Sequence, residues 1–362
     1  MNRGATALAA IALLLSSTGL QGADADQESW TDRIDFSGDF RLRYEGVDED
    51  FEDDKDRMRF RARFGLATSL SDNIKFVLRI ATGNDNPVSA NQSFEDGFSG
   101  SDIRVDQIYV DWTIRDGLNI QGGKIKNPLF KAGGVPLIWD SDLMPEGVAL
   151  KYSSGKLFAT VGGFLIGKRE SADDSHLYVA QLGANFPLGG QNSLTVGTGY
   201  FAYTDTVGNV PFYNSKAKGN TLDDEGLYVY EYKDVEVFAQ FNSMLRDWPV
   251  QVFAHAVQNT AVGTQDTAIA FGAKLGSAKD KGQAQLSWTY QDIEADAVIG
   301  TFNDSDFGGG GTDANGHMLK AKYAYAKNVF FGGTFFLNEV ERFQGSEHDY
   351  SRVQLDVEIK FD

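Results

Sequence analysis

The sequence of 362 residues contains no cysteine, few prolines and, after its first 25 residues, no apolar run long enough for a transmembrane helix. Without cysteine the chain forms no disulfide, no thiolate metal site and no thiol nucleophile. Only 7 prolines stand beside 40 glycines and 12% aromatic residues. This composition favours many paired strands joined by tight turns over a disordered chain or an α-helical membrane protein. We therefore expect a large hydrogen-bonded sheet to hold the fold together.

Basic residues are also in deficit. The chain has 51 acidic residues against 33 lysines and arginines, and its formal net charge of −18 argues against nucleic acid as a partner. The densest acidic run is Asp48 to Asp56. The carboxylates of this run and of residues 304–313 (DSDFGGGGTD) could bind divalent cations, which would link the loops to lipopolysaccharide. Neither segment has EF-hand spacing. Solvated loops are the simpler interpretation of both, so we predict no metal site and no cofactor.

The N-terminus predicts export. Arg3 precedes the apolar stretch Ala5 to Leu15, and Ala23-Asp24-Ala25 offers an A-x-A cleavage site. The apolar stretch is too short for a membrane anchor, which needs about 20 residues. We therefore expect residues 1–25 to be a cleaved signal peptide.

An alternating pattern is clearest in residues 57–66, RMRFRARFGL. Arginines occupy every second position from Arg57 to Arg63, and the places between them hold Met58, Phe60, Ala62 and Phe64. Side chains two apart share one face of a strand, whereas a helix would scatter both sets. An unpaired buried charge is very unfavourable, so the arginine face must contact water and the other face an apolar environment.

The alternation continues to the last segment, and the connections between segments alternate in length. The short turns fall at residues 71–73, 115–117, 153–156, 187–192, 245–249, 277–282 and 326–328. The longer, more polar connections fall at residues 47–56, 83–101, 127–146, 168–175, 204–225, 296–315 and 339–349. Short turns at one end and long loops at the other are typical of an up-and-down barrel in an outer membrane.

These segments predict an all-β fold, a single transmembrane antiparallel β-barrel of about 16 strands with short periplasmic turns and long extracellular loops. The barrel is expected over residues 34–362, after a short periplasmic N-terminus at 26–33. We interpret Gly226 to Asn242 as one long strand with a bulge at Lys233-Asp234, and a hairpin there would give about 18 strands. A soluble β-sandwich also alternates, but a sandwich this long would usually split into two domains, and the chain has no linker.

Three stretches resemble the putative porin family of the Gram-negative outer membrane, which is similar in plan to the phosphate-selective porins. Gly123 to Phe130 (GKIKNPLF) matches the entry into a long loop in those proteins. Glu294 to Ala297 and Asn303 to Phe307 resemble the E-x-D-A and D-S-D-F signatures. The last strand resembles the signal read by the barrel-assembly machinery, although Asp362 follows Phe361 where the usual form ends.

The resemblance implies a passive channel for small hydrophilic solutes and ions in the outer membrane of a Gram-negative bacterium. It also implies a homotrimer in contact with outer-membrane lipid and lipopolysaccharide, which meets the barrel-assembly machinery during biogenesis. No ligand residue carries over from the family to a matching position.

Basic residues with inward parity on the early strands form the first candidate site. They are Arg41, Arg43, Arg57, Arg59, Arg61, Arg63, Lys75 and Arg79. Because basic side chains in a pore attract anions, we expect an arginine-lined lumen with a weak anion preference. The alternative is an ordinary solvated wall without selectivity.

The connection at residues 127–146 is the second candidate site. In the porins that the chain resembles, this loop folds inward and narrows the channel. Its acids Asp140, Asp142 and Glu146 would then oppose the arginines and set up a transverse field that orients dipolar solutes. An outward surface loop is the alternative.

Other outer-membrane barrels act as enzymes of the protease or lipase type, or as surface adhesins and receptors. An enzyme needs clustered Ser, His and Asp groups at one rim. The four histidines are dispersed and lie in no catalytic motif: His176, His255, His317 and His348. We predict a channel without enzyme activity.

Overall fold

The computed structural model describes residues 33–94, 96–169, 173–343 and 345–361, so the predicted signal peptide and residues 26–32 lie outside the described residues. The described part contains seventeen strands: β1 (Ile34–Glu49), β2 (Lys55–Ser71), β3 (Ile74–Thr82), β4 (Gln92–Ser93), β5 (Ile103–Arg115), β6 (Leu118–Lys124), β7 (Glu146–Ser154), β8 (Leu157–Gly167), β9 (Ser175–Gly189), β10 (Asn192–Tyr203), β11 (Lys233–Leu245), β12 (Trp248–Asn259), β13 (Thr267–Gly276), β14 (Ala284–Ile293), β15 (Ala314–Ala326), β16 (Val329–Val340) and β17 (His348–Phe361).

Sixteen of these strands form a closed antiparallel barrel. Neighbours in the chain pair with each other, β3 pairs directly with β5, and β1 closes the ring by pairing with both β2 and β17. The two-residue β4 pairs with β2 opposite Arg59 and Phe60 and is not part of the ring. The prediction of one 16-stranded barrel is confirmed, and the alternative of about 18 strands is wrong.

The barrel has an apolar exterior and a polar interior. Phe64 and Leu286 are 43% and 56% exposed on the outer face, whereas Arg43 and Arg61 are 4% and 6% exposed on the inner face. Successive side chains of a strand point to opposite faces, so each strand supplies both surfaces. This polarity is the reverse of a soluble sandwich and is the arrangement that a hydrocarbon environment requires.

Exposed aromatic residues lie near both rims of the exterior. At the rim with short turns they include Trp248, Tyr325 and Phe361, and at the opposite rim they include Tyr178 and Tyr200. Tyrosine and tryptophan favour the bilayer interface because one end of each side chain is apolar and the other polar. These positions fit two aromatic girdles.

The connections alternate in length as the sequence predicts. Two-residue turns join β2 to β3, β5 to β6, β7 to β8, β9 to β10, β11 to β12 and β15 to β16, and a longer turn joins β13 to β14. The longest connections, at the other rim, span residues 83–102, 125–145, 204–232 and 294–313.

The interpretation of Gly226 to Asn242 as one long strand is wrong at its start. Strand β11 begins at Lys233, and the preceding residues belong to the connection from β10. Tyr228 and Tyr232 are fully buried there, with their rings 5.9 Å apart, and Tyr232 donates a hydrogen bond to Asp296 Oδ1 at 3.0 Å. The alternating tyrosines therefore form a loop core instead of a strand face.

Helical structure in the described residues is limited to short pieces. One α-helix spans Phe212–Ser215, and 3₁₀ turns span Asp96–Phe98, Ala132–Gly134, Gly300–Phe302 and Phe307–Gly309. Within the ranges that the structure describes, no helix has the length and apolar character to cross a membrane.

Candidate functional site

Two long connections fold into the barrel and contact each other. We call residues 125–145 the first inner loop and residues 294–313 the second inner loop. The Asp140 N–H donates to the Phe302 carbonyl at 2.8 Å, and Asp140 Oδ2 accepts from the Ser305 N–H at 2.9 Å. Asn303 Nδ2 also donates to the Leu137 carbonyl at 3.0 Å. These bonds join the two loops into one internal partition.

Inward-facing side chains of the wall hold the first inner loop in place. Gln181 on β9 accepts from the Phe130 N–H at 2.8 Å and donates to its carbonyl at 3.0 Å. Gln240 on β11 accepts from the Gly133 N–H at 2.9 Å. Gly133 has a φ of +61°, and a Cβ there would lie 2.3 Å from the Phe253 ring, so only glycine fits this approach to the wall.

The second inner loop is packed inside the barrel, and the interpretation of residues 304–313 as a solvated loop is wrong. Val298, Ile299 and Phe307 are almost fully buried. Asn220 Nδ2 donates to the carbonyls of Ala295 and Val298 at 2.7 and 2.8 Å. Val298, Ile299 and Phe307 precede the glycines at 308–311, and such apolar residues indicate a buried loop, because exposed loops are usually polar.

Three arginines of the predicted basic stripe form ion pairs inside the barrel. Arg43 on β1 lies 2.7 Å from Asp356, its partner in register on β17, and 3.2 Å from Asp306 of the second inner loop. Arg61 and Arg63 on β2 both contact Asp39, at 2.8 and 2.7 Å.

Asp142 of the first inner loop faces the same arginines. Its Oδ1 lies 3.8 Å from Arg61 and 3.5 Å from Arg63. Asp140 lies two residues away and accepts from the Asp142 N–H at 2.7 Å. Glu146 is apart from this cluster, because it is the first residue of β7 and its exposed side chain pairs with Lys124 at 2.6 Å.

The other predicted basic residues lie farther along the wall. Arg57 and Arg59 both contact Glu45, and the Arg59 distance is 3.5 Å. Arg79 pairs with Asp106. Lys75, beside the short turn between β2 and β3, is exposed and lies 3.7 Å from Asp35. The eight residues therefore do not form one cluster.

The partition and the arginine wall together line a cavity of about 270 Å³. Its cationic lining residues are Arg41, Arg43, Arg61, Lys274 and Lys320, and its acidic lining residues are Asp140, Asp142, Asp304 and Asp306. Five positive and four negative charges give a formal net charge of +1. Sequence reasoning missed Asp304 and Asp306 because it interpreted residues 304–313 as a solvated loop, in spite of the apolar residues before them. It missed Lys274 and Lys320, on β13 and β15, because it considered only the basic residues of the early strands.

The acids of the inner loops differ in their ionisation. Burial raises the pKa of Asp304 to about 6, and the neighbouring charge of Asp306 adds to this rise. Burial, together with the charges of Asp304 and Asp142, raises the pKa of Asp140 well above its usual value. Burial acts in the same direction on Asp142, but Arg61 and Arg63 outweigh it and lower the pKa. The partition therefore loses negative charge at a higher pH than exposed carboxylates would.

His255 is buried on β12 and contacts Glu236 Oε2 at 2.8 Å. No group of three or more His, Cys, Asp or Glu side chains among the described residues is arranged to hold a metal ion.

Comparison with known proteins gives a family match and several structural matches. A family model described as "Putative porin" matches residues 48–229 and 247–361. The high-pH structure of Pseudomonas putida OprB is 14% identical with a TM-score of 0.60, over 91% of this chain and 94% of that chain.

Two other solved structures are similar over comparable lengths. Salmonella typhi OmpF, in a complex with daunomycin, is 11% identical with a TM-score of 0.55, over 92% of this chain and 100% of that chain. A mutant of Rh. blastica porin is 11% identical with a TM-score of 0.51, over 91% and 100%. No curated protein matches the sequence. At these identities the structural matches show the fold alone.

Proposed function

The chain belongs to the putative porin family, and from that premise we propose that it is a passive, water-filled channel with a weak preference for anions. Family and fold point to an outer-membrane porin and to a channel rather than an enzyme. The solutes are proposed to be small hydrophilic molecules and ions, because polar and charged side chains line the interior cavity.

The observation that carries the anion preference is the charge of the interior cavity. Five cationic and four acidic side chains line it, and the raised pKa values of Asp140 and Asp304 make the lining more positive as the pH falls below neutral. Fixed charge in a narrow, low-dielectric passage attracts ions of the opposite sign. A net positive cavity favours chloride over potassium even though the whole chain is acidic.

The proposed selectivity site consists of the arginine wall and the acids that face it. Arg41, Arg43 and Arg61 line the cavity together with Asp140 and Asp142 of the first inner loop. The remaining predicted cations contribute to the field outside the cavity: Arg57, Arg59, Arg63, Lys75 and Arg79. Glu146 is left out of the site, since it is exposed and neutralised by Lys124.

Location and assembly follow from the family and the exterior. Residues 1–25 are proposed to be removed on export, and the barrel-assembly machinery is proposed to insert residues 34–362 among lipid and lipopolysaccharide. The apolar exterior supports a bilayer location. A homotrimer is proposed from the family resemblance, and chemical cross-linking in native membranes is expected to give a three-subunit product.

Reconstitution tests the proposed function. Folded protein in liposomes is expected to admit small sugars and amino acids at rates that fall with solute size, and to give stepwise currents in planar bilayers. Heat-unfolded protein at the same concentration is the control and is expected to do neither. Folded protein without solute entry or current steps would contradict the channel function.

A further inference from the structure

Three of the five cations that line the interior cavity have no carboxylate within ion-pair distance among the described residues. Arg43 and Arg61 contact Asp356 and Asp39. Lys274 and Lys320 have no ion pair with any residue in the described ranges. The third unneutralised cation, Arg41, donates to the Asn91 side chain at 2.5 Å, and its buried Nε has no partner. The positive charge of these three groups is available to a solute.

The two lysines lie in one row across the wall. Lys274 on β13 is in register with Ser287 on β14, and Ser287 is in register with Lys320 on β15. Adjacent strands are about 4.8 Å apart, so the lysine backbones are about 10 Å apart with the serine between them. All three residues line the cavity. Two flexible ammonium groups and a hydroxyl can therefore converge on one ion.

The first inner loop leaves room in front of this row. Gly134 has a φ of +67°, and a Cβ there would lie 3.7 Å from Lys274 Nζ. The absence of a side chain at Gly134 keeps the ammonium accessible from the cavity. On the other side of Lys320, Thr334 on β16 continues the row with a second hydroxyl.

We propose that Lys274, Ser287 and Lys320 form a binding station for a small oxyanion that carries two negative charges, a proposal that rests on the proposed channel function. Sulfate, hydrogen phosphate and short dicarboxylates share this chemistry. A cation held partly out of water without a partner is unfavourable, and a bound dianion supplies two charge-assisted hydrogen bonds. Arg41 adds a third positive charge on the cavity wall. Such a station slows the dianion and obstructs chloride while it is occupied.

The test measures how sulfate reduces the chloride current of the folded channel in planar bilayers. Sulfate is expected to block the wild type in a saturable manner. Lys274→Gln and Lys320→Gln are each expected to raise the half-blocking concentration about tenfold, the size of one lost charge-assisted hydrogen bond. Lys320→Arg keeps the charge and is expected to retain the block. The matched control is Lys151→Gln, because Lys151 lines a separate cavity near Asp111.

A second readout separates failure of the station from failure of the channel. Calorimetric titration of sulfate into the folded, detergent-solubilised protein reports binding without transport. Chloride current with no sulfate block, or with equal block in the lysine variants and the Lys151 control, would overturn the station and leave the channel function in place. Sulfate binding without any chloride current would overturn the channel function. Parallel titrations with phosphate and succinate distinguish an inorganic dianion from a dicarboxylate as the ligand.

Discussion

Replacing Arg61 with glutamine is expected to remove most of the anion preference and leave the barrel folded. Arg61 contacts Asp39 at 2.8 Å, Asp142 at 3.8 Å and Glu358 at 3.9 Å. Each of these carboxylates keeps another cation in the variant, because Arg63 contacts Asp39 and Asp142 and Lys322 contacts Glu358 at 2.6 Å. No buried carboxylate is left unpaired, so the substitution changes charge more than stability.

The size of the effect follows from the charge count. Removing Arg61 takes the formal charge of the cavity from +1 to zero. One unit charge about 6 Å from a passing ion is worth about 0.7 kcal/mol in water, with opposite sign for chloride and potassium. The combined change of about 1.4 kcal/mol is tenfold in permeability ratio, and salt screening at about 0.1 M reduces it to about fourfold. We expect the chloride-to-potassium permeability ratio to fall about 4- to 10-fold.

The assay is the reversal potential of single channels under a KCl gradient. Arg246→Gln is the matched control, since Arg246 lies exposed in the turn between β11 and β12. Its reversal potential is expected to stay near that of the wild type. If Arg61→Gln and Arg246→Gln gave the same reversal potential, the arginine wall would have no part in selectivity.

Three further predictions concern the inner loops. Because the pKa of Asp304 is about 6, lowering the pH from 7 to 5 neutralises this acid and is expected to raise the chloride preference. The Asp304→Asn variant is expected to show the higher preference already at pH 7 and to change less between pH 7 and pH 5. A variant with the same pH profile as the wild type would show that Asp304 is not the titrating group. Gln181→Leu removes the hydrogen-bond partner of the Phe130 N–H, the Phe130 carbonyl and Glu236 Oε1, and each unsatisfied group costs about 1–3 kcal/mol. We therefore expect a lower unfolding temperature and larger current fluctuations than in the exposed control Gln258→Leu. Gly133→Ala and Gly190→Ala both place a Cβ on a residue in the left-handed conformation, which destabilises the fold by about 1–2 kcal/mol. Only the Cβ at position 133 would clash with the Phe253 ring, so only Gly133→Ala is expected to change the single-channel conductance.

The fold could be predicted from the sequence because its two signals are local. Two patterns can be recognised in one sequence: the alternation of side chains along a strand, as in the arginines from Arg57 to Arg63, and the alternation of connection length, as in the two-residue turns. The misjudged strand, Gly226 to Asn242, alternates for another reason, since Tyr228 and Tyr232 pack in a loop core. Periodicity reports which side chains share a face and does not report what covers that face.

The candidate site was less predictable because it depends on contacts between distant segments. Arg43 and Asp306 are far apart in the sequence, and their 3.2 Å contact requires the second inner loop to enter the barrel. The inward orientation of Lys274 and Lys320 can be predicted from the alternation along their strands. Only the structure shows that they lack an ion pair among the described residues, whereas Lys322 pairs with Glu358. Proximity in sequence groups Glu146 with Asp140 and Asp142, but Glu146 begins a strand and pairs with Lys124 instead of the arginines.

The reversal potential of the unmodified channel in a planar bilayer under a KCl gradient tests the central claim most directly. A wet, net positive passage enclosed by an apolar exterior predicts discrete current steps and a potential with the sign set by chloride. A potential with the sign set by potassium, or folded protein that inserts and passes no current, would contradict it.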